Sequence, residues 1–311
     1  MLAIETINLT KDYKVGFWQH RARRGLDCLN LQVESGEVFG LLGPNGAGKT
    51  TTLKLLFRLV FPTAGTAKIL GRESSDRAVH QKVGYLPENP YFYDHLTAEE
   101  LLTYTGRLFG LTKDALRRRV NELLEKVGLI GSERTALRRY SKGMVQRVGI
   151  AQALINDPEV IFLDEPMSGL DPLGRRQVRD VVLELRERGK TVFFSTHILS
   201  DAETLCDRVA ILNRGKLEGC GELQKILRLG VSTTELVLEN PSPEVLAEVS
   251  PHAISMVRTG ERVRIQIRDE SGISSALEAA LHRKARVISL NPVKMSLEDY
   301  FLAHVAPKNH G

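Results

Sequence analysis

The amino-acid sequence predicts an α/β fold: a mostly parallel sheet covered by helices, a helical subdomain inserted into it, and a small C-terminal α+β domain. Three observations carry this reading. Apolar runs at Val160 to Leu163, Thr191 to Ser195 and Val209 to Leu212 alternate with helical stretches near Arg175 to Arg188 and Ile198 to Cys206, the rhythm of a sheet buried on both faces. From Thr97 to Asn156 the pattern is entirely helical. After Gly230 the elements read βαββαβ, a ferredoxin-like order, followed by one more helix.

Taken in order, Leu2 to Leu9 and Leu29 to Val33 alternate apolar with polar residues and predict two half-exposed strands. Gly16 to Arg24, between them, carries Phe17, Trp18, His20, Arg21, Arg23 and Arg24 and is expected to form a long hairpin tip. Val38 to Leu42 is an apolar run ending in a glycine-rich turn, and Thr51, Leu53, Leu55, Leu56 and Leu59 mark a helix after it. Thr97 with Glu100 has the form of a capping box, and Leu116, Val120, Leu123, Leu124 and Val127 share one helical face before Gly128. In the C-terminal part, strands are expected at Glu235 to Glu239, Ile254 to Val257, Val263 to Ile267 and Val287 to Leu290. Helices are expected at Pro243 to Val249, Ser274 to Ala285 and Leu297 to Val305. The expected domains are 1–229, with the helical subdomain at about 89–157, and 230–311.

Composition narrows the classes. With 42% hydrophobic residues in 311, the chain can bury a large core, which excludes disorder as its main state. Against 38 acidic residues stand 43 Lys and Arg, a formal charge of +5, too small an excess to imply a nucleic-acid or lipid partner. The 3 cysteines, Cys28, Cys206 and Cys220, form no C-x-x-C pair and are expected to be reduced thiols of a cytosolic protein. No run approaches the roughly 18 apolar residues of a spanning helix, and the start alternates, so the chain is expected to be neither secreted nor itself embedded in a membrane.

The chemistry is concentrated in two motifs. Gly43-Pro44-Asn45-Gly46-Ala47-Gly48-Lys49-Thr50, leading into Thr51, fits G-x-x-x-x-G-K-[ST] between a strand and a helix. Its glycines let backbone N–H groups curl around a phosphate chain, the helix N-terminus adds positive potential, Lys49 neutralises phosphate oxygens and Thr50 can ligate Mg²⁺. Val160 to Leu163 then delivers Asp164 and Glu165 to the C-terminal end of a strand, where open α/β sheets bind ligands. Asp164 suits a magnesium shell and Glu165 suits polarisation of an attacking water.

With these motifs the chain resembles the nucleotide-binding subunits of ATP-binding cassette (ABC) transporters over about residues 2 to 225, so its core is expected to have the ABC-type P-loop NTPase fold. The signature position of that family holds Tyr140-Ser141-Lys142-Gly143-Met144, followed by Gln146 and Arg147, with Lys142 and Met144 replacing the commonest glycine and glutamine. The resemblance implies that Ser141 and Gly143 bind the γ-phosphate held by a second protomer. Ser141 also fits a plain helix N-cap. Ser168-Gly169-Leu170-Asp171 matches the D-loop, and equally an ordinary turn and cap at Asp171. His197 stands where the family places a histidine that touches the γ-phosphate. Tyr13 matches the aromatic residue stacked on adenine, although it also suits a half-buried strand end. Glu88, in Tyr85-Leu86-Pro87-Glu88, occupies the place of the usual metal-sensing glutamine.

The resemblance implies an ATPase using ATP and Mg²⁺, dimerised with itself or a related subunit around two ATP molecules, peripheral on the cytoplasmic side of the membrane. It would drive a separately encoded permease, with no nucleic acid expected. The S-K-G-M signature, Glu88 and Leu297-Glu298-Asp299-Tyr300-Phe301 resemble exporters. The alternative is a soluble ABC-type ATPase acting on ribosomes or DNA, for which the chain lacks a second cassette or a coiled-coil interruption. A P-loop kinase leaves Ser141, Asp171 and His197 unexplained. For the 16–24 segment two readings stand: a coupling or membrane-associated tip with Arg21, Arg23 and Arg24 toward anionic lipid, or a solvated hairpin.

Overall fold

Pairing between the first two strands, β1 (Leu2–Val15) and β2 (Arg21–Glu34), continues well past their apolar parts in a computed structural model that describes residues 1–15, 21–229, 233–267, 270–293, 297, 298 and 300. Tyr13 lies opposite Arg23 and Lys14 opposite Ala22. No residue from Lys11 to Lys14 is buried, so apolar alternation stops while the backbone ladder goes on. This corrects the expected tip. Arg23 and Arg24 belong to β2, and Arg24 is held by Asp12 at 2.8 Å and Asp27 at 2.5 Å instead of being free for a lipid surface. Phe17, Trp18 and His20 lie outside the described residues.

After β3 (Val38–Leu42) and α1 (Lys49–Leu56), the strands β4 (Ala64–Ile69) and β5 (Arg72–Glu73) join the ribbon in the antiparallel order β2-β1-β4-β5. The short α2 (Arg77–His80) leads to β6 (Val83–Leu86). The expected helical stretch is α3 (Ala98–Leu108), α4 (Lys113–Lys126) and α5 (Lys142–Ala153). Thr97 and Glu100 close the capping box of α3, and Leu116, Val120, Leu123 and Leu124 are the buried stripe of α4. Then follow β7 (Val160–Asp164), α6 (Pro172–Glu187), β8 (Thr191–Thr196), α7 (Leu199–Leu205), β9 (Arg208–Asn213), β10 (Lys216–Glu222) and α8 (Leu223–Leu229).

The central sheet has the order β10-β9-β3-β8-β7-β6, with β10 antiparallel and its other pairings parallel. Its strands read as unbroken apolar runs because successive side chains enter different cores. Ile161 and Leu163 pack with Val148, Ala151 and Val182, whereas Val160 and Phe162 pack with Leu53, Leu56 and Phe193. Phe162 meets Phe57 edge-on at 4.8 Å between ring centroids. This burial fixes β7 rigidly, so the carboxylates at its end are held by the core.

The chain divides into two compact units, Met1–Leu223 and Gln224–Gly311. Within the second, β11 (Thr233–Glu239), α9 (Pro243–Val249), β12 (Ala253–Thr259), β13 (Arg262–Ile267), α10 (Glu270–His282) and β14 (Arg286–Val293) form an antiparallel sheet of order β12-β13-β11-β14. Leu236, Leu238, Val263, Ile265 and Ile267 of that sheet pack with Val245 and Val249 of α9 and Ala276 and Ala280 of α10. This is the ferredoxin-like order expected from βαββαβ. The last helix, expected at Leu297 to Val305, lies outside the described residues except at 297, 298 and 300.

Candidate functional site

Four parallel strands, β3, β6, β7 and β8, present their C-terminal ends together, and each is followed by a candidate residue: the Gly43 to Lys49 loop, Glu88, Glu165 and His197. The loop bends where only glycine is unstrained. Gly48 has φ 114° and a Cβ there would lie 2.8 Å from the Gly25 carbonyl, so a side chain would force the loop off the ribbon. α1 begins directly after it with no side-chain cap and no acidic residue in its first turn. Its first N–H groups therefore remain available to an anion.

Lys49 is buried beneath this loop. Its Nζ donates to the Gly43 carbonyl at 2.7 Å and lies 3.2 Å from Glu165 Oε1. Glu165 Oε2 is 2.8 Å from His197 Nδ1. Glu165 adopts φ 49°, an uncommon left-handed backbone for a non-glycine residue. Its N–H is received by the Ser195 carbonyl at 3.1 Å and the Ser195 hydroxyl at 3.2 Å.

Asp164 is fully buried. Its Oδ1 accepts from Ser195 Oγ at 2.5 Å and from Thr50 Oγ1 at 3.4 Å, while Oδ2 has no hydrogen-bond partner. Burial pushes its pKa up, the Ser195 and Thr50 hydrogen bonds work against that, and the charges of Glu88 and Glu165 reinforce it. A buried carboxylate oxygen without a partner, beside a threonine hydroxyl, fits a hard divalent cation that takes its other oxygens from phosphate and water. Among the described residues no three His, Cys, Asp or Glu side chains converge as a metal cluster, so Glu88 gains no such support as a ligand.

The cleft above the loop measures about 690 Å³, within the usual range for small-ligand sites. Tyr13, Asn45, Gly46, Ala47, Gly48, Lys49, Thr50, Thr51, Glu88 and Glu165 line it, as do Lys14, Arg23 and Arg24. Tyr13 packs against Gly25, where a Cβ would come within 2.6 Å of its ring, and its hydroxyl lies 3.3 Å from Thr51 Oγ1.

Ser141, Gly143 and Asp171 lie elsewhere. Ser141 caps α5, accepting from Met144 N at 3.3 Å, and Asp171 caps α6, accepting from Gly174 N at 2.8 Å. The two caps are neighbours: a Cβ on Gly143 would sit 3.6 Å from Leu170. None of the three lines the cleft.

Sequence reasoning missed Ser195, and it put Arg23 on a lipid-facing or solvated tip, whereas Arg23 pairs with Tyr13 and borders the cleft. The only signal for Ser195 was a hydroxyl ending an apolar strand, and its meaning depends on the register that pairs it with Asp164.

A glycine cradle at an uncapped helix, a buried lysine and two carboxylates at a strand end define a P-loop nucleotide-binding protein. Residues 26–168 match the ABC transporter family model. The chain is 47% identical to an uncharacterized ABC transporter ATP-binding protein of Synechocystis, over 96% of this chain and 83% of that protein. It is 36% identical to the Nod factor export ATP-binding protein I of Burkholderia lata, over 88% and 90%. Its fold matches a dimeric ATP-binding cassette solved in a post-hydrolysis state with ADP and Pi, with TM-score 0.65 and 28% identity over 71% of this chain and 98% of that one. The chain belongs to the ABC transporter ATP-binding family and is the ATP-hydrolysing subunit of a transporter.

Proposed function

We propose that the chain works as one half of a dimeric ATPase motor, with a second copy or a related subunit, and drives a separate export permease. The observation that carries this reading is the separation of Ser141, Gly143 and Asp171 from the cleft of their own chain. Ser141 is exposed at the start of α5, so its hydroxyl and the adjoining N–H groups are open to a phosphate brought by another protomer.

In the assembled site the phosphate chain lies on the loop N–H groups and Lys49, and Tyr13 borders the base. Thr50 and the free oxygen of Asp164 would hold magnesium, which neutralises phosphate charge when bound. Glu165 takes a proton from water as the water oxygen attacks the γ-phosphorus. The bond to the β-phosphate oxygen breaks, leaving ADP and phosphate. His197 holds the Glu165 carboxylate in position and reaches the departing phosphate.

A membrane partner is supported by two features. No helix among the described residues is long and apolar enough to cross a membrane, so transport needs other chains. Tyr91 and Tyr93 are 99% and 63% exposed beside a groove that Phe92, Leu137 and Val145 line together with Asp94 and His95, a mixed aromatic and polar surface suited to a protein contact on the cytoplasmic side of the membrane. Export rests on the likeness to a Nod factor exporter and on the Ser141 to Met144 signature.

The test is light scattering of purified Glu165→Gln protein with ATP and Mg²⁺, alone and with its permease. A nucleotide-dependent dimer is expected, and a monomer under both conditions overturns the paired site.

A further inference from the structure

The cleft holds more positive charge than its lysine supplies. Of the cations bordering it, Lys49 is engaged by Glu165 and the Gly43 carbonyl, Arg24 is engaged by Asp12 and Asp27, and Lys14 is exposed at the end of β1. Arg23 has no carboxylate partner among the described residues, yet its Nη2 lies 4.0 Å from where a Cβ on Gly46 would sit. The register of the ribbon explains this reach. Arg23 stands directly opposite Tyr13 in the β1–β2 ladder, and cross-strand partners project from the same face of a sheet. The pair therefore covers the loop at two points, the Tyr13 hydroxyl beside Thr51 and the Arg23 guanidinium beside Gly46.

We infer that Arg23 is a nucleotide-binding residue, a guanidinium that closes over the phosphate loop from β2 and binds the polyphosphate of the nucleotide. This rests on reading the loop as a phosphate cradle. The chemistry favours phosphate over the base: a planar fork of N–H donors matches phosphate oxygens, and a cation whose Nη2 lies 4.0 Å from where a Cβ on Gly46 would sit adds to the positive potential of the loop. With no carboxylate paired to it among the described residues, the exposed Arg23 guanidinium is available to an anion seated on the loop.

The test uses the full chain in equilibrium titrations with ATP, GTP and inorganic triphosphate, comparing wild type, Arg23→Ala, Arg23→Lys and Lys49→Ala. Arg23→Ala should weaken all three ligands by the same factor, about ten-fold, with Arg23→Lys between it and wild type. The slope of log affinity against log salt should fall with the lost charge. Unchanged triphosphate affinity in Arg23→Ala, with Lys49→Ala weakened, overturns the inference and leaves the cradle standing. Unchanged affinity in Lys49→Ala as well overturns the cradle itself. Loss of ATP but not triphosphate affinity assigns Arg23 to the base or ribose and also overturns the inference.

Discussion

The Nζ of Lys49 lies 3.2 Å from Oε1 of Glu165, so the candidate phosphate-binding cation and the candidate base form an ion pair. Both side chains are 6% exposed, which makes the pair costly to break unless another anion replaces it. In the proposed mechanism a phosphate reaching Lys49 would do that and would free Glu165 for water.

Lys49→Ala removes the cation and leaves Glu165 buried without it. ATP affinity should fall by at least about ten-fold in a binding titration, as expected for a lost charge-assisted contact. Unchanged affinity would show that the loop does not use Lys49 for phosphate.

Ser195→Ala should separate positioning from binding. Its hydroxyl donates to Asp164 and receives the Glu165 N–H, so both carboxylates lose a support while the phosphate loop is untouched. The expected result is a kcat lowered by about ten-fold with KM for ATP within about two-fold, and a raised Mg²⁺ requirement. An unchanged kcat contradicts the positioning role.

Asp164→Asn gives a pH-dependent change in stability. Burial, the largest influence, raises the Asp164 pKa above its ordinary 3.8, so ionisation is easier in the unfolded chain than in the folded one. Below the unfolded value both states are protonated and the group is neutral to stability. As pH rises through the window from that value to the folded one, the buried charge destabilises the fold. The Tm of Asp164→Asn minus that of wild type, without nucleotide, should therefore increase as pH rises above the ordinary carboxylate value of 3.8. A difference that is flat or falls with pH contradicts the assignment.

Much of this site was legible because its parts are local. The Gly43 to Thr50 loop needs only its own glycines and the helix that follows, and Asp164 and Glu165 need only the apolar strand that buries them. What escaped depends on register between distant strands. Ser195 acquires its role by lying beside Asp164 across β8 and β7, and Arg23 by lying opposite Tyr13. The Arg-rich stretch read as a loop because its side chains never alternate in polarity, yet backbone pairing extends β2 to Arg21 without help from a core. The proposed role of Ser141 came from the family resemblance in the sequence, whereas geometry within one chain shows it as the cap of α5.

The central claim is that Glu165 drives hydrolysis in a cleft whose phosphate cradle works without it. The most direct measurement compares wild type with Glu165→Gln in steady-state phosphate release and in ATP binding, on the same preparations. Hydrolysis should fall by at least about a hundred-fold, the contribution of a positioned general base, while ATP affinity is kept or improved because Lys49 loses its internal partner. Wild-type turnover in Glu165→Gln, or loss of ATP binding along with activity, would contradict it.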